Sequence, residues 1–147
     1  MNFKKLLCST LLICSALAGM IFSQNANATS YGAYGSSAVT PTIYSKNYWY
    51  NVAFPVVGSP PSTATLTVVY YTWNYSFPRP SGFQVLLCNN SGSLCADVTS
   101  AGSGSVNFSG SGVPATQSVR LYSRVNGTGT MSPLYGSNST VTVNYSY

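Results

Sequence analysis

Several short runs of the chain alternate between apolar and polar positions with a period of two, the pattern of strands with one covered face. Gln117 to Val125 is the cleanest. Val119, Leu121 and Val125 lie on one side, and Arg120, Tyr122 and Arg124 on the other. Thr140 to Tyr147 repeats the pattern, with Val141, Val143, Tyr145 and Tyr147 on one face. Thr63 to Tyr75 is apolar on both faces: Leu66, Val68 and Tyr70 on one, Val69, Tyr71, Trp73 and Tyr75 on the other. That pattern predicts a central strand, covered by core on one side and by aromatic packing or a partner on the other. Phe83 to Cys88 reads as a short buried strand, with Leu94 to Val98 as its hairpin partner. Ile43 to Phe54 reads as a broken strand pair around Ser45, Lys46 and Asn47. Thr99 to Gly112 is Ser- and Gly-rich, which suits a loop or a weak edge strand.

No 3.6-residue apolar period is sustained after residue 28, and Gly and Pro punctuate the runs. The pattern predicts an all-β fold: a small antiparallel β-sandwich of roughly six to eight strands. Residues 29–147 would form one domain, with 29–38 as a flexible lead or a weak edge strand.

The first residues follow a different pattern. Lys4 and Lys5 precede an apolar run from Leu6 to Phe22, and Ala26-Asn27-Ala28 supplies an A-x-A site. These are the three parts of a secretory signal peptide, with cleavage expected after Ala28 and no membrane span afterwards. A membrane anchor competes, but the apolar run is short for a spanning helix. A lipoprotein reading at Cys14 meets a bulky Ile13, where a small residue is wanted.

Export changes the meaning of the remaining cysteines. Cys88 and Cys95 are an even pair, spaced C-x6-C around Asn89-Asn90-Ser91-Gly92, which fits one disulfide across a hairpin in an oxidising compartment. A redox pair is the rival, but such pairs favour C-x-x-C beside a helix, and neither is visible.

Composition then narrows the chemistry. The 147 residues contain six Lys plus Arg, one Asp plus Glu and no His, and charged residues are 5% of the chain. An average globular chain carries roughly 25%. With Asp97 as the single side-chain carboxylate, a two-carboxylate glycosidase has no second group, and a Ser-His-Asp hydrolase has no base. Zinc and di-iron sites lack their usual ligands. No catalytic residue, cofactor or metal site is expected. After export the cations are Lys46, Arg79, Arg120 and Arg124, which form no run suited to nucleic acid. A binding, structural or assembly role remains.

Candidate contact residues follow from aromatic and basic positions. Arg120, Tyr122 and Arg124 share a strand face, a composition favoured at protein interfaces, against the plainer reading of a solvated sheet face. Tyr71, Trp73 and Tyr75 could form a platform for a partner or a sugar ring, against a core role, which is preferred for Trp73. Tyr48, Trp49 and Tyr50 cannot all face inward on a strand, so at least one lies at an edge or in solvent.

Four stretches carry a resemblance. They are Tyr71-Thr72-Trp73-Asn74-Tyr75 with the loop Pro78 to Gly82, and Phe83 to Cys88 with Cys95 a hairpin later. The others are Ala115, Val119-Arg120-Leu121, Val125-Asn126-Gly127 and Pro133, then Ser137 to Tyr145. In order and spacing the chain resembles the flagellar protein FlhE family over residues 62–147. The resemblance implies a β-rich periplasmic fold without catalysis. It also implies an accessory role in flagellar assembly, with rod, hook or export-apparatus components as partners. That role would be guarding subunits against premature polymerisation, or limiting proton leak. A pilin-like fibre subunit is the second expectation and a carbohydrate-binding module the third.

Overall fold

The computed structural model describes residues 28–147; the expected signal peptide therefore lies outside the described residues, except for Ala28. Among the described residues, eight strands follow one another without a helix: β1 (Tyr31–Val39), β2 (Tyr50–Phe54), β3 (Thr65–Thr72), β4 (Phe83–Cys88), β5 (Cys95–Asp97), β6 (Ser103–Asn107), β7 (Val119–Val125) and β8 (Asn138–Ser146). They form two four-stranded antiparallel sheets, ordered β1-β8-β3-β6 and β2-β7-β4-β5. The chain is thus an antiparallel β-sandwich. The Cys88–Cys95 disulfide joins β4 to β5 at directly paired positions, with an S–S distance of 2.01 Å.

The core lies between the sheets and is supplied mainly by the inward faces of β3, β4, β7 and β8. On β7, Val119, Leu121 and Val125 are buried as the alternation requires. From β4 come Val85 and Leu87, and from β8 come Val141 and Val143. Gly32 on β1 lies directly beneath the Tyr145 ring, so any larger side chain there would collide with it.

The strand β3 departs from simple alternation. Its pairing with β8 shifts register between Leu66 and Val69. This β-bulge inserts one residue and turns the following side chains over. Ala64 and Leu66 face inward before it, and Val69, Tyr71, Trp73 and Tyr75 face inward after it. The Val68 carbonyl, displaced at the bulge, accepts a hydrogen bond from Asn144 Nδ2 at 3.0 Å. As expected, β3 is an interior strand, but the inward set changes parity halfway along, and Tyr70 is left in solvent.

Of three further expectations, one is corrected and two resolve to one of their alternatives. Residues 31–39 form a nine-residue edge strand rather than a flexible lead, because β8 supplies a continuous antiparallel partner from Ser146 back to Asn138. Ile43 to Phe54 is no strand pair. Ile43 bridges Leu134, while β2 pairs with β7. Asn47 adopts a φ of 66° between them and clamps the loop, so the chain passes from one partner to another. Within 99–112, the alternative of an edge strand holds: β6 lies outside β3.

Candidate functional site

The outer face of the β2-β7-β4-β5 sheet gathers the aromatic and basic residues. Cross-strand register sets Tyr122 beside Asn51 on one side and Leu86 on the other, and sets Arg124 beside Gln84. Trp49, just before β2, lies across this row. The Arg124 guanidinium stacks on its indole, 4.2 Å from the ring centroid, and Tyr122 meets the indole edge-on, with centroids 6.3 Å apart. Stacking of this kind orders a side chain that would otherwise sample many rotamers. Trp49 remains 39% exposed, so the ordered group is also accessible.

Polar contacts fix the remaining cations. Arg124 Nε donates to Gln84 Oε1 at 3.0 Å, and Gln84 Nε2 donates to Asp97 Oδ2 at 3.3 Å. Asp97 Oδ1 accepts from the Thr99 backbone N–H at 2.9 Å. Hydrogen bonding from Thr99, side chain first and backbone second, holds the Asp97 carboxyl below its ordinary range; slight burial opposes this and Gln84 assists it. Arg120 Nη1 donates to Asn51 Oδ1 at 2.8 Å and its Nε to Asn90 Oδ1 at 3.2 Å. The guanidinium of Arg120 is therefore positioned by neutral acceptors and keeps its charge uncompensated.

A recess of about 270 Å³ lies beside Tyr122. Trp49, Leu86, the Cys88–Cys95 disulfide and Gly92 line it. Gly92 has a φ of 72° and lies under the Tyr122 hydroxyl, so the hairpin turn and the aromatic share one surface. The disulfide thus fixes the wall of the face as well as the hairpin.

Of the residues singled out by sequence, Trp49, Arg120, Tyr122 and Arg124 come together here. Tyr71, Trp73 and Tyr75 do not, because the bulge in β3 turns them into the core. Trp73 is 2% exposed and its Nε1 donates to the Val98 carbonyl at 3.1 Å. The Tyr75 hydroxyl reaches Pro41 O at 3.1 Å and Ser123 Oγ at 2.6 Å. Phe83 packs against both rings, with centroids 5.7 Å from Trp73 and 5.3 Å from Tyr75. With the Trp73 and Tyr75 polar atoms hydrogen-bonded inside and Tyr71 buried beside them, these aromatics act as core. The platform reading of all three is overturned.

Sequence reasoning missed Asn51, Gln84, Leu86 and Asn90. Gln84 and Leu86 had a signal in the outward parity of β4 and Asn51 in that of β2, readable only once those strands are known to pair with β7, while Asn90 lies in the turn after β4 and had none.

The fold and face define a small, disulfide-pinned antiparallel β-sandwich with an ordered aromatic-basic outer face. The sequence profile described as flagellar protein FlhE matches residues 47–146. The chain belongs to the FlhE family of flagellar proteins. A crystal structure of FlhE superimposes on it with a TM-score of 0.65 at 25% sequence identity, covering 78% of this chain and 96% of that one. The profile match begins at residue 47 and so takes in Trp49 and β2, ahead of the residue 62 expected from sequence. No curated protein matches the chain. Among the described residues, no helix is long and apolar enough to cross a membrane.

Proposed function

We propose that this chain is a non-enzymatic periplasmic accessory protein of flagellar assembly. It binds a rod, hook or export-apparatus component and covers a surface that would otherwise self-associate early or leak protons. Membership of the FlhE family supports the flagellar setting. One observation carries the contact mode: Arg124 stacked on an accessible Trp49, with Tyr122 at its edge and Arg120 beside them. Arg, Trp and Tyr dominate the energetics of protein interfaces, most of all when held in place before binding. The A-x-A signal in the sequence supports a periplasmic location.

The test is photo-crosslinking in cells with the probe at Tyr122, followed by mass spectrometry. Crosslinks to rod, hook or export proteins are expected, and Trp49→Ala and Arg124→Ala should each reduce them. Purified protein is also expected to slow polymerisation of rod or hook subunits. Protein that leaves polymerisation unchanged and crosslinks to no flagellar component sinks the reading.

A second reading, a fibre subunit, is favoured by the outer edge of β1. Ser30 and Tyr147 exchange both backbone hydrogen bonds, at 2.9 and 3.0 Å. By antiparallel alternation the even-numbered residues of β1 then bond to β8, and Tyr31, Ala33, Gly35, Ser37 and Val39 turn their backbone groups outward. No Lys or Pro blunts this edge. Crosslinks forming only a self-ladder of sizes would favour this reading over the accessory one.

A further inference from the structure

At one end of the sandwich, the loops at residues 44–47, 76–80 and 127–135 enclose two grooves, of about 550 and 610 Å³. Lys46, Thr130 and Met131 line both, so the grooves are continuous. Backbone bonds tie the loops together: Ser76 N–H donates to Tyr135 O at 2.9 Å, and Ile43 and Leu134 exchange bonds at 3.0 Å. Asn47 adds two more, its Nδ2 donating to Gly127 O at 2.9 Å and its Oδ1 accepting from Gly127 N–H at 3.1 Å. The walls are therefore built before any ligand arrives.

Two cations and several apolar groups line the larger groove. The Arg79 guanidinium stacks against both Trp73 and Phe77, at 4.6 and 4.1 Å from their ring centroids. Its Nε is buried without a hydrogen-bond partner among the described residues. Lys46 Nζ is anchored to the Thr128 carbonyl at 2.6 Å, which leaves its charge unpaired. The chain's one side-chain carboxylate, Asp97, is engaged by Gln84 and Thr99. Phe77 and Tyr135 are 76% and 60% exposed, and with Pro78, Pro80, Met131 and Leu134 they supply the apolar lining.

We infer that this groove binds an extended acidic peptide, with a side-chain carboxylate on Arg79 and Lys46 and a flanking aliphatic or aromatic residue against Phe77 and Tyr135. Charge complementarity selects the carboxylate. A stacked guanidinium keeps its in-plane N–H groups in a fixed fork suited to a carboxylate, and burial strengthens the pair. Size selects the peptide, since a small inorganic anion would occupy little of the joined volume. The site is separate from the Trp49 face and does not rest on the proposed flagellar role.

The test is nitrogen-15 NMR of the arginine Nε–H signals of the purified protein, titrated with a short peptide of alternating Asp and Leu. The control peptide alternates Asn and Leu. The Arg79 signal, identified by its loss in Arg79→Lys, should move saturably while those of Arg120 and Arg124 stay in place. Arg79→Gln should weaken binding by roughly tenfold or more, the loss of a charge-assisted pair. Lys46→Gln leaves the Arg79 stack intact and should weaken binding by a smaller factor, which keeps the test decisive if Arg79→Gln folds poorly. Equal binding of the Asn peptide, shifts confined to Arg120 and Arg124, or absence of saturable binding would overturn the site. Inorganic phosphate matching the acidic peptide in affinity would overturn the peptide assignment.

Discussion

The two tryptophans each carry an arginine, and their fates differ. Trp73 is enclosed between the sheets, hydrogen-bonded at its Nε1, and holds Arg79 at the rim of the end groove. Trp49 lies on the outside of the other sheet, open to solvent, under Arg124. The same pair of residue types therefore lies in the core in one place and on the solvent face in the other. The difference is backbone parity. An aromatic turned into the interface between sheets is fixed by packing on all sides, whereas one turned outward is fixed only by its stacked partner.

Substitution should separate these roles. Trp73→Ala removes a large side chain from a close-packed interior and is expected to cost about 3–5 kcal/mol, measured by chemical denaturation, with the Arg79 stack lost as well. A loss as small as that of an exposed aromatic would show that the cluster with Tyr75 and Phe83 is loosely packed. Replacing Cys88 and Cys95 together by Ser should come next. It releases a short loop, of sequence separation 7, at a cost of roughly 2.5 kcal/mol in the chain-entropy model. It should also loosen the recess beside Tyr122.

Tyr75→Phe tests the polar end of the same core. The Pro41 carbonyl and Ser123 hydroxyl lose their partner, at an expected cost of about 1–3 kcal/mol. Burial raises the Tyr75 phenol above its ordinary value, with hydrogen bonding to Ser123 and Thr40 opposing in part. Tyr34 is raised likewise by burial and then by the Tyr145 charge. The unfolded chain therefore loses these protons first, near pH 10. Stability should be full below that pH and fall as pH rises toward the folded values. Denaturation midpoints across this range should show a shallower decline in Tyr75→Phe than in the natural protein. Trp49→Ala comes last, with an expected stability change of at most about 1 kcal/mol. If it costs as much as Trp73→Ala, the outer face is part of the structural core and its role in contact loses its basis.

Much of the fold was legible because it is local. The alternation of β7 placed Val119, Leu121 and Val125 inward and Arg120, Tyr122 and Arg124 outward, as observed. The Cys88–Cys95 hairpin was legible from spacing and turn residues, since both cysteines belong to adjacent strands. The site was legible only in part. Arg120, Tyr122 and Arg124 could be read from one strand, but the packing of Tyr122 and Arg124 on Trp49 joins residues far apart in sequence. The end groove was not read at all, because its lining comes from three loops that meet only when both sheets are formed.

The sequence by itself determined the all-β class, the cysteine pair, the absence of His and of a second side-chain carboxylate, and the outward parity of β7. Each follows from composition or from the two-residue period of a single strand. Tertiary structure decided which face of Thr63 to Tyr75 is buried. The bulge between Leu66 and Val69 changes the inward set from even to odd positions, and the Asn144 side chain bonds the displaced Val68 carbonyl from a different strand. Strand pairing, a long-range event, thus overrides local alternation and sends Trp73 into the core, while Trp49 stays on the outer face of the other sheet.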